Sequence, residues 1–358
     1  MMAGGMGLVL NVVGNYFVPL ALNFGLTTPS GGPDVTRVTL LMTVYSYVML
    51  VWLPFSGQLY NKFNSRVVFG FGGICVVLGT FLLSVWPNVN LIYISGALWG
   101  LGGPMIFLVG PSVLINGWFA PKMAGKFLGI SSAFTGVGTF VWSPVFRGFI
   151  TTYGYKTSFV IEAVIAAVLI LIPAFFFFTH VSADKAGLTP FGQEKEEAET
   201  EEKTEVKESG VSGKFALGTV AFYMIFIAAC LISLGGGYKS LMPTAVTSVV
   251  DINNTDLVTQ AASLGAWMIS AAAIGNILGK IALGTIADKI GIRNAMVGLS
   301  ALNIIGFVLM LLCLGLNTVP MLIAGFCIGL ADASMSVGLP LVTRECFGTR
   351  CYAKIYSY

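Results

Sequence analysis

The sequence predicts an all-α, polytopic membrane protein, and the prediction depends on composition, charge spacing and turn signals. Of the 358 residues, 56% are hydrophobic and only 10% are charged, whereas a typical soluble domain has about 25% charged residues. Four stretches of 20 to 24 residues contain no charged residue, at 38–61, 127–146, 215–238 and 257–279. A helix of that length, rising about 1.5 Å per residue, crosses about 30 Å of hydrocarbon.

Two longer charge-free stretches each contain a turn signal near the middle, which predicts a pair of helices in each. The signals are WPNVN at 86–90 and GLNTVP at 315–320. The first helix has no basic segment and no cleavage site, so it is interpreted as a span and not as a signal peptide. In total the sequence predicts ten membrane helices, near 4–26, 37–60, 67–86, 91–117, 127–149, 157–180, 214–237, 257–283, 295–316 and 320–343.

One polar stretch divides the chain. Residues 184–214 hold nine acids and five bases and few apolar residues, so they cannot bury a core. The predicted organisation is a six-helix bundle at 1–180, a charged linker at 181–213 and a four-helix, incomplete bundle at 214–358. The linker is interpreted as a plain tether, with a regulatory or partner-binding role as the alternative.

The basic residues predict the topology. If the linker and the N-terminus are cytoplasmic, fifteen lysines and arginines lie on the inside and four, Arg37, Arg147, Lys156 and Lys239, lie on the outside. This is the positive-inside bias of a multi-pass protein of the plasma membrane. The net charge of +3 is then a topology signal and no evidence for a nucleic-acid partner.

An internal repeat links the two halves. GQLYNKFNSR at 57–66 returns as GTIADKIGIR at 284–293, an offset of 227 residues. A second pair aligns 96–119 with 325–347 and places Gly96 on Gly325 and Gly100 on Gly329, an offset of 229. Two parallel sets of six helices with related turns on one face are typical of transporters.

These residues resemble the major facilitator superfamily of transporters over the whole chain. The superfamily's motif between helices 2 and 3 is roughly G-x-x-x-D-R/K-x-G-R/K-R/K. The second copy keeps more of the motif than the first, which has Asn61 for the acid and Asn64 for the glycine. The matching residues are Gly57, Lys62 and Arg66 in the first copy, and Gly284, Asp288, Lys289, Gly291 and Arg293 in the second. Residues 117–138 also resemble the oxalate:formate and monocarboxylate branch.

The motif suits a gate, because Gly57 and Gly284 remove side chains where helices slide past neighbours. Asp288 is predicted to pair with Arg293 and to cap the start of helix 5, near 125–129, in an outward-open state. The alternative is a charged turn that fixes topology only.

The resemblance implies a substrate site near the midplane, lined by helices 1, 4, 7 and 10. Asp332 lies near the middle of helix 10 and is predicted to handle substrate or protons, unless neighbouring hydroxyls merely satisfy it. Glu162 is interpreted as an interfacial residue. Arg147 and Lys239 either steer an anion or extend to the headgroups. The remaining candidates bond to substrate, bond between helices or pack: Asn11, Asn15, Asn116, Gln260, Trp267 and Asn276.

Several function classes are disfavoured. A single histidine and six cysteines without a CxxC motif predict no metal site, no cofactor and no enzyme. The absence of G-x-x-x-x-G-K-[ST] argues against ATP-driven transport. The predicted function is secondary transport of a small polar or anionic metabolite by a monomer, coupled to protons or exchange. Multidrug efflux and a transporter-like sensor that does not translocate are the alternatives.

One departure concerns length. The superfamily has twelve helices, whereas this chain supplies ten, so the resemblance implies a chain truncated before the last two helices. In the oxalate:formate branch the dicarboxylate is held by an arginine in helix 8 and a lysine in helix 11. Residues 257–279 contain no base, so the sequence does not predict oxalate as the substrate.

Overall fold

The computed structural model is helical throughout the segments that cross the molecule. Ten helical segments are found in the described part of the chain, as the sequence predicted. The described residues are 1–28, 32–119, 121–180, 182–183, 186–192, 213–251, 254–315 and 317–347. Most of the charged linker, 193–212, and the end of the chain, 348–358, lie outside them.

The ten segments are labelled α1 to α10. Several combine an α-helix with a 3-10 or π-helical turn, and a short helix, Gly213–Leu217, precedes α7. The bounds are Met6–Asn23 for α1, Thr36–Lys62 for α2, Ser65–Leu82 for α3, Val89–Trp118 for α4, 121–153 for α5, 155–177 for α6, 220–247 for α7, Thr255–Ile290 for α8, Ile292–Leu312 for α9 and 318–347 for α10.

A glycine separates α5 from α6. The apolar helix Phe127–Phe177 has 51 residues and would measure about 77 Å if straight, more than twice the hydrocarbon thickness. Gly154 interrupts it with φ +78° and ψ 162°, a left-handed backbone conformation that favours glycine. The chain therefore turns back at Gly154, and this one stretch forms two spans.

Two predicted helix ends fall well short of the observed ones, and helix 5 starts at Pro121, six residues before its predicted start. The predicted end of helix 7 at 237 is ten residues short, since α7 continues through a 3-10 turn and a further helix to Thr247. The predicted end of helix 8 at 283 is also short, since α8 continues to Ile290. The predicted end of helix 7 lies just before Lys239, which is inside α7, whereas predicted helix 8 included Lys280 but stopped seven residues before the observed end.

Close glycine contacts support the internal repeat. A β-carbon added to Gly96 of α4 would lie 2.5 Å from the Leu41 carbonyl oxygen of α2, and one added to Gly325 of α10 would lie 2.7 Å from the Met268 carbonyl oxygen of α8. One turn further on, Gly100 approaches the Tyr45 carbonyl and Gly329 approaches the Ala272 carbonyl in the same way. The glycines differ by 229 residues and their partners by 227, so α4 on α2 corresponds to α10 on α8.

The contacts also place the two charged turns at one end of the molecule. The α4 contacts run in parallel along α2, whereas those of α5 with α8 run antiparallel, from Ser143 on Ala266 to Gly136 on Ile277. Because α5 starts where α4 ends, α8 ends beside the end of α2. Lys62 and Lys289 therefore lie at the same end, which is called the basic end below.

Apolar residues form two main cores. One lies among α1 to α6, where Trp99, Phe69 and Phe159 are fully buried, and the other lies among α7 to α10 around Met268 and Met321. The exposed large apolar residues are distributed along most of the helices, as expected for surfaces that face lipid.

The α8–α10 contact gives a test of the fold. We expect Gly329→Val to destabilise the protein by about 1–3 kcal/mol, because overpacking forces apart two helices that touch at the Ala272 carbonyl. Gly298→Val on α9 is the control, since nothing lies within 4 Å of its β-carbon position. Thermal unfolding in detergent measures both, and equal midpoints for the two variants would contradict this packing.

Candidate functional site

A charged cavity lies where the two sets of helices meet. Its volume is about 290 Å³, and α1 and α5 line it from one side while α7, α8 and α10 line it from the other. The polar residues that line it are Asn11, Thr135, Thr139, Lys239, Ser240, Asn276, Lys280 and Asp332.

Asp332 is held by two side chains from different helices. Lys239 of α7 donates to its Oδ2 atom from 2.5 Å, and Nδ2 of Asn276 on α8 donates to the same oxygen, also from 2.5 Å. The side chains of Lys239 and Asp332 are 28% and 23% exposed, so the ion pair borders the cavity and is not sealed in the core. The alternative in which hydroxyls alone satisfy Asp332 is therefore wrong.

Lys280 adds a second ammonium group to this cavity. It lies one helical turn after Asn276 on the same face of α8 and interacts electrostatically with Asp332 and Lys239. Among the described residues it makes no ion pair within 4.0 Å. Two lysines therefore share one carboxylate, and the cavity has an excess positive charge.

Lys280 is a functional candidate that the sequence analysis missed. Lys280 ends a charge-free stretch close to the predicted end of helix 8, and it was counted among the basic residues of the inside turns. The spacing of Asn276 and Lys280 was the available signal, because residues four apart share one face of a helix.

The backbone around Asp332 is irregular. The α-helix Thr318–Ala333 gives way to a π-helical turn, Ser334–Gly338. A corresponding π-helical turn, Pro104–Val109, follows Gly103, the counterpart of Asp332 in α4. Such π-helical turns occur frequently at functional sites because they re-orient side chains.

Asn11 and Asn15 connect α1 to α5. Asn11 donates to the Thr139 hydroxyl at 2.8 Å and lines the cavity. Asn15 is buried and donates to the Ser143 carbonyl at 3.0 Å. Asn11 therefore remains a candidate for contact with a ligand, whereas Asn15 bonds between helices beyond the cavity.

Direct contacts close the cavity on the side away from the basic end. The Ser143 hydroxyl of α5 donates to the Ala266 carbonyl of α8 at 2.9 Å, and the Ser270 hydroxyl of α8 donates to the Phe140 carbonyl of α5 at 3.0 Å. In addition, α1 approaches α7 at Gly14, where a β-carbon would clash with the Ser240 carbonyl. The two sets of helices are thus joined on this side.

Four other candidates lie outside the cavity. Asn116 and Gln260 are exposed and are absent from its lining. Arg147 and Trp267 line a smaller cavity between α5 and α8. Because Arg147 is only 8% exposed, its predicted extension to the headgroups is wrong, and Lys239 also points to the cavity instead.

Glu162 is not interfacial. It is 1% exposed in the core of α1 to α6, and its Oε2 atom has no hydrogen-bond partner among the described residues. The Tyr16 hydroxyl faces it without a hydrogen bond of normal geometry. Glu162 is therefore a buried carboxyl group separate from the charged cavity.

The gating motif is described in part. Arg66 is exposed and donates to the Thr179 hydroxyl at 2.8 Å, and Asn64 caps α3 by accepting from the Arg66 amide. A β-carbon on Gly57 would lie 3.9 Å from Val109, so the close approach expected there is absent from this conformation. Gly291 ends α8 with φ +81°.

The rest of the motif adds little to the gate hypothesis. Lys62, Lys289 and Arg293 are exposed at the basic end. The side chains of Asn61 and Asp288, and the surroundings of Gly284, lie outside the described part of the structure. The predicted pairing of Asp288 stays a prediction.

A larger cavity of about 520 Å³ lies inside residues 1–180. Its lining is mostly apolar, with Pro111, Trp118, Phe134 and Phe178 among its residues. None of its described lining residues belongs to α7 to α10, so these residues give no sign of a ligand shared between the two sets of helices. The smaller charged cavity is therefore the better candidate site.

Comparison with known proteins agrees with this architecture. The model of the Major Facilitator Superfamily matches residues 2–358. The chain belongs to this superfamily. Superfamily members are transporters and not enzymes, as the sequence predicted.

Curated superfamily relatives match parts of the chain. The riboflavin transporter RibZ of Clostridioides difficile (strain 630) is 24% identical over 140 residues, which cover 39% of this chain and 30% of the relative. Monocarboxylate transporter 14 of Homo sapiens is 28% identical over 120 residues, 33% of this chain and 23% of the relative. The oxalate:formate antiporter of Oxalobacter formigenes is 24% identical over 144 residues, which cover 40% of this chain and 34% of the relative. The matched segment thus spans about a third or less of each relative.

Solved structures of superfamily transporters match the fold. The nucleoside transporter NupG has a TM-score of 0.69 at 14% identity, covering 99% of this chain and 84% of that chain. A bacterial homologue of the human lysosomal transporter Spinster, in an inward-facing and unoccupied conformation, has a TM-score of 0.64 at 15% identity. The match covers 99% of this chain and 76% of that chain.

Proposed function

We propose that this superfamily member is a secondary transporter that moves a small organic anion by alternating access, with a proton or by exchange. The observation that carries the proposal is the cavity between the two sets of helices, where Lys239 and Lys280 face a single carboxylate, Asp332. An excess ammonium group in a low-dielectric site favours a ligand with one negative charge.

The ion pair suggests how a proton is coupled to the anion. While Asp332 is ionised, it is the counter-ion of Lys239. When Asp332 takes up a proton, Lys239 loses that counter-ion and is free to bind the carboxylate of a substrate. Anion and proton then enter together and leave together. In the exchange mode, Asp332 keeps its charge and one anion replaces another at Lys280.

Cavity size and polarity favour a small metabolite over a multidrug substrate. Sites for drug-sized ligands measure about 300–1,000 Å³ and are mostly apolar. This cavity, at about 290 Å³, is at the small end of that range and differs mainly in carrying three charged side chains. The names of two relatives, a monocarboxylate transporter and an oxalate:formate antiporter, support a carboxylate. The name of a third, a riboflavin transporter, makes riboflavin the comparison substrate.

The distribution of basic residues between the two sides of the membrane supports a cytoplasmic N-terminus and linker. Once Lys239, Lys280 and Arg147 are assigned to cavities, fourteen basic residues remain on the proposed inside and two on the outside. The positive-inside bias is then stronger than the sequence count suggested. With the basic end inside, the contacts near Ser143 close the outer side.

Uptake into proteoliposomes tests the function. The purified chain is reconstituted and supplied with radiolabelled formate, lactate, oxalate or riboflavin, with and without a proton gradient or internal unlabelled anion. We expect saturable uptake of a monocarboxylate that an inward proton gradient or internal anion accelerates. Saturable binding without uptake would support the sensor alternative, and uptake of riboflavin alone would exclude the anion.

Cross-linking tests alternating access. In a chain without native cysteines, a cross-link between Ser143→Cys and Ala266→Cys should reduce uptake to background, because α5 and α8 must part for the outer side to open. The control is the same double-cysteine chain in its reduced form, which should keep most of its uptake because α5 and α8 are then free to part. Full transport with α5 fixed to α8 would contradict the mechanism.

A further inference from the structure

We propose that Arg147 forms a second anion site, between α5 and α8 and separate from the charged cavity. Arg147 is 8% exposed, and its Nε atom has no hydrogen-bond partner in the described part of the chain. Among the described residues Arg147 makes no ion pair within 4.0 Å. A buried guanidinium is always charged and needs acceptors for its N–H groups, so an anion beside Arg147 would supply acceptors to a charge that has no ion-pair partner among the described residues.

The surroundings of Arg147 include a cavity of about 200 Å³. Since one water occupies about 30 Å³ of liquid, this space holds about six waters or one small carboxylate. The guanidinium offers paired N–H donors that match the two oxygens of a carboxylate. Thr151, Thr259, Ser263 and Trp267 are among the other residues that line this cavity.

The position of this cavity suggests its role. Arg147 lies one helical turn beyond Ser143 on α5, and Ser143 and Ser270 bond α5 to α8 between this cavity and the charged one. An anion bound at Arg147 would therefore lie on the outer side of the hydrogen bonds that join α5 to α8. When α5 and α8 part, it can move to Lys280. This role extends the proposed transport function, although the site itself can be tested without it.

Tryptophan fluorescence tests the site without any transport. Trp267 lines the cavity and is 51% exposed, so we expect sodium acetate to change the fluorescence of the purified chain and Trp267→Phe to remove that change. Arg147→Gln should weaken acetate binding at least about tenfold, because it removes the charge and the paired donors. Arg147→Lys, which keeps the charge, should bind with intermediate affinity and provides a second test if the glutamine variant does not fold.

Two further variants separate this site from others. Lys156→Gln removes an exposed charge at the same end of the molecule and should leave the acetate response unchanged. Lys280→Gln disables the charged cavity and should also leave it unchanged, whether or not the chain transports anions. A response that survives Arg147→Gln, or that Lys280→Gln abolishes, would overturn the proposal. So would a response to phosphatidylglycerol micelles without one to acetate, since the ligand would then be a lipid headgroup.

Discussion

Asp332→Asn should abolish proton-driven accumulation of the transported anion and reduce its uptake at least about tenfold, a change of about 1.4 kcal/mol or more. Asparagine cannot take up the coupling proton, and the substitution also leaves Lys239 without its counter-ion. Breaking a fully buried ion pair costs about 3–5 kcal/mol, and the cost is smaller here because the two side chains are 28% and 23% exposed. The measurement is uptake into proteoliposomes at several imposed pH gradients.

Glu162→Gln is the matched control for Asp332→Asn. Both substitutions replace one carboxyl group inside the membrane region by an amide, but Glu162 lies in the core of α1 to α6 and does not line the cavity. We expect the Gln variant to keep its response to the proton gradient. A normal response to the proton gradient in the Asn variant would exclude Asp332 as the coupling site. Loss of that response in the Gln variant alone would assign the coupling to Glu162. Asp332→Glu should restore part of the coupling, because it keeps an ionisable group.

Sequence analysis predicted the helices well and singled out an acid, Asp332, that lines the charged cavity, and both results have a physical reason. Spans of 20 to 24 uncharged residues have few alternatives in lipid, where backbone groups must bond within a helix. An isolated acid such as Asp332 is conspicuous in an apolar stretch. The same sequence predicted the repeat, and the glycine contacts of α4 and α10 occur in matching register.

The two lysines of the charged cavity were harder to predict, because charged residues were used to mark where the membrane spans begin and end. Lys239 and Lys280 each end a charge-free stretch, and that position suggested a helix end near the headgroups. In fact α8 has 36 residues and measures about 54 Å, so it extends well past the hydrocarbon and carries Lys280 within it. Which face of a helix meets its neighbours depends on tertiary packing, and a single sequence does not determine that packing.

Arg147 shows the same effect on α5. It lies four positions after Ser143, which bonds to α8, so both lie on the face that meets the other set of helices. The sequence contains this spacing but does not indicate that α5 packs on α8. Only the fold distinguishes an arginine in a cavity from one that extends to the headgroups.

Lys280→Gln should raise the KM for the transported anion at least about tenfold, the second large effect expected at this site. Lys280 has no ion-pair partner among the described residues, so its charge is available to a ligand, and a charge-assisted hydrogen bond contributes about 1.5–3 kcal/mol. The loss should fall mainly on KM, because a group that holds the anion in every state contributes uniform binding. Initial uptake rates at increasing anion concentration give both constants.

Lys289→Gln provides the control for this effect, since it removes the same charge from the same helix at an exposed position near the basic end. If the rise in KM came from general attraction of anions to a basic surface, both variants would raise KM equally. At high salt the KM of each variant would then equal that of the unmodified chain. A charge that binds the ligand inside the cavity is screened far less. We therefore expect the Lys280→Gln defect to persist at about 0.5 M salt, and its disappearance there would contradict direct binding.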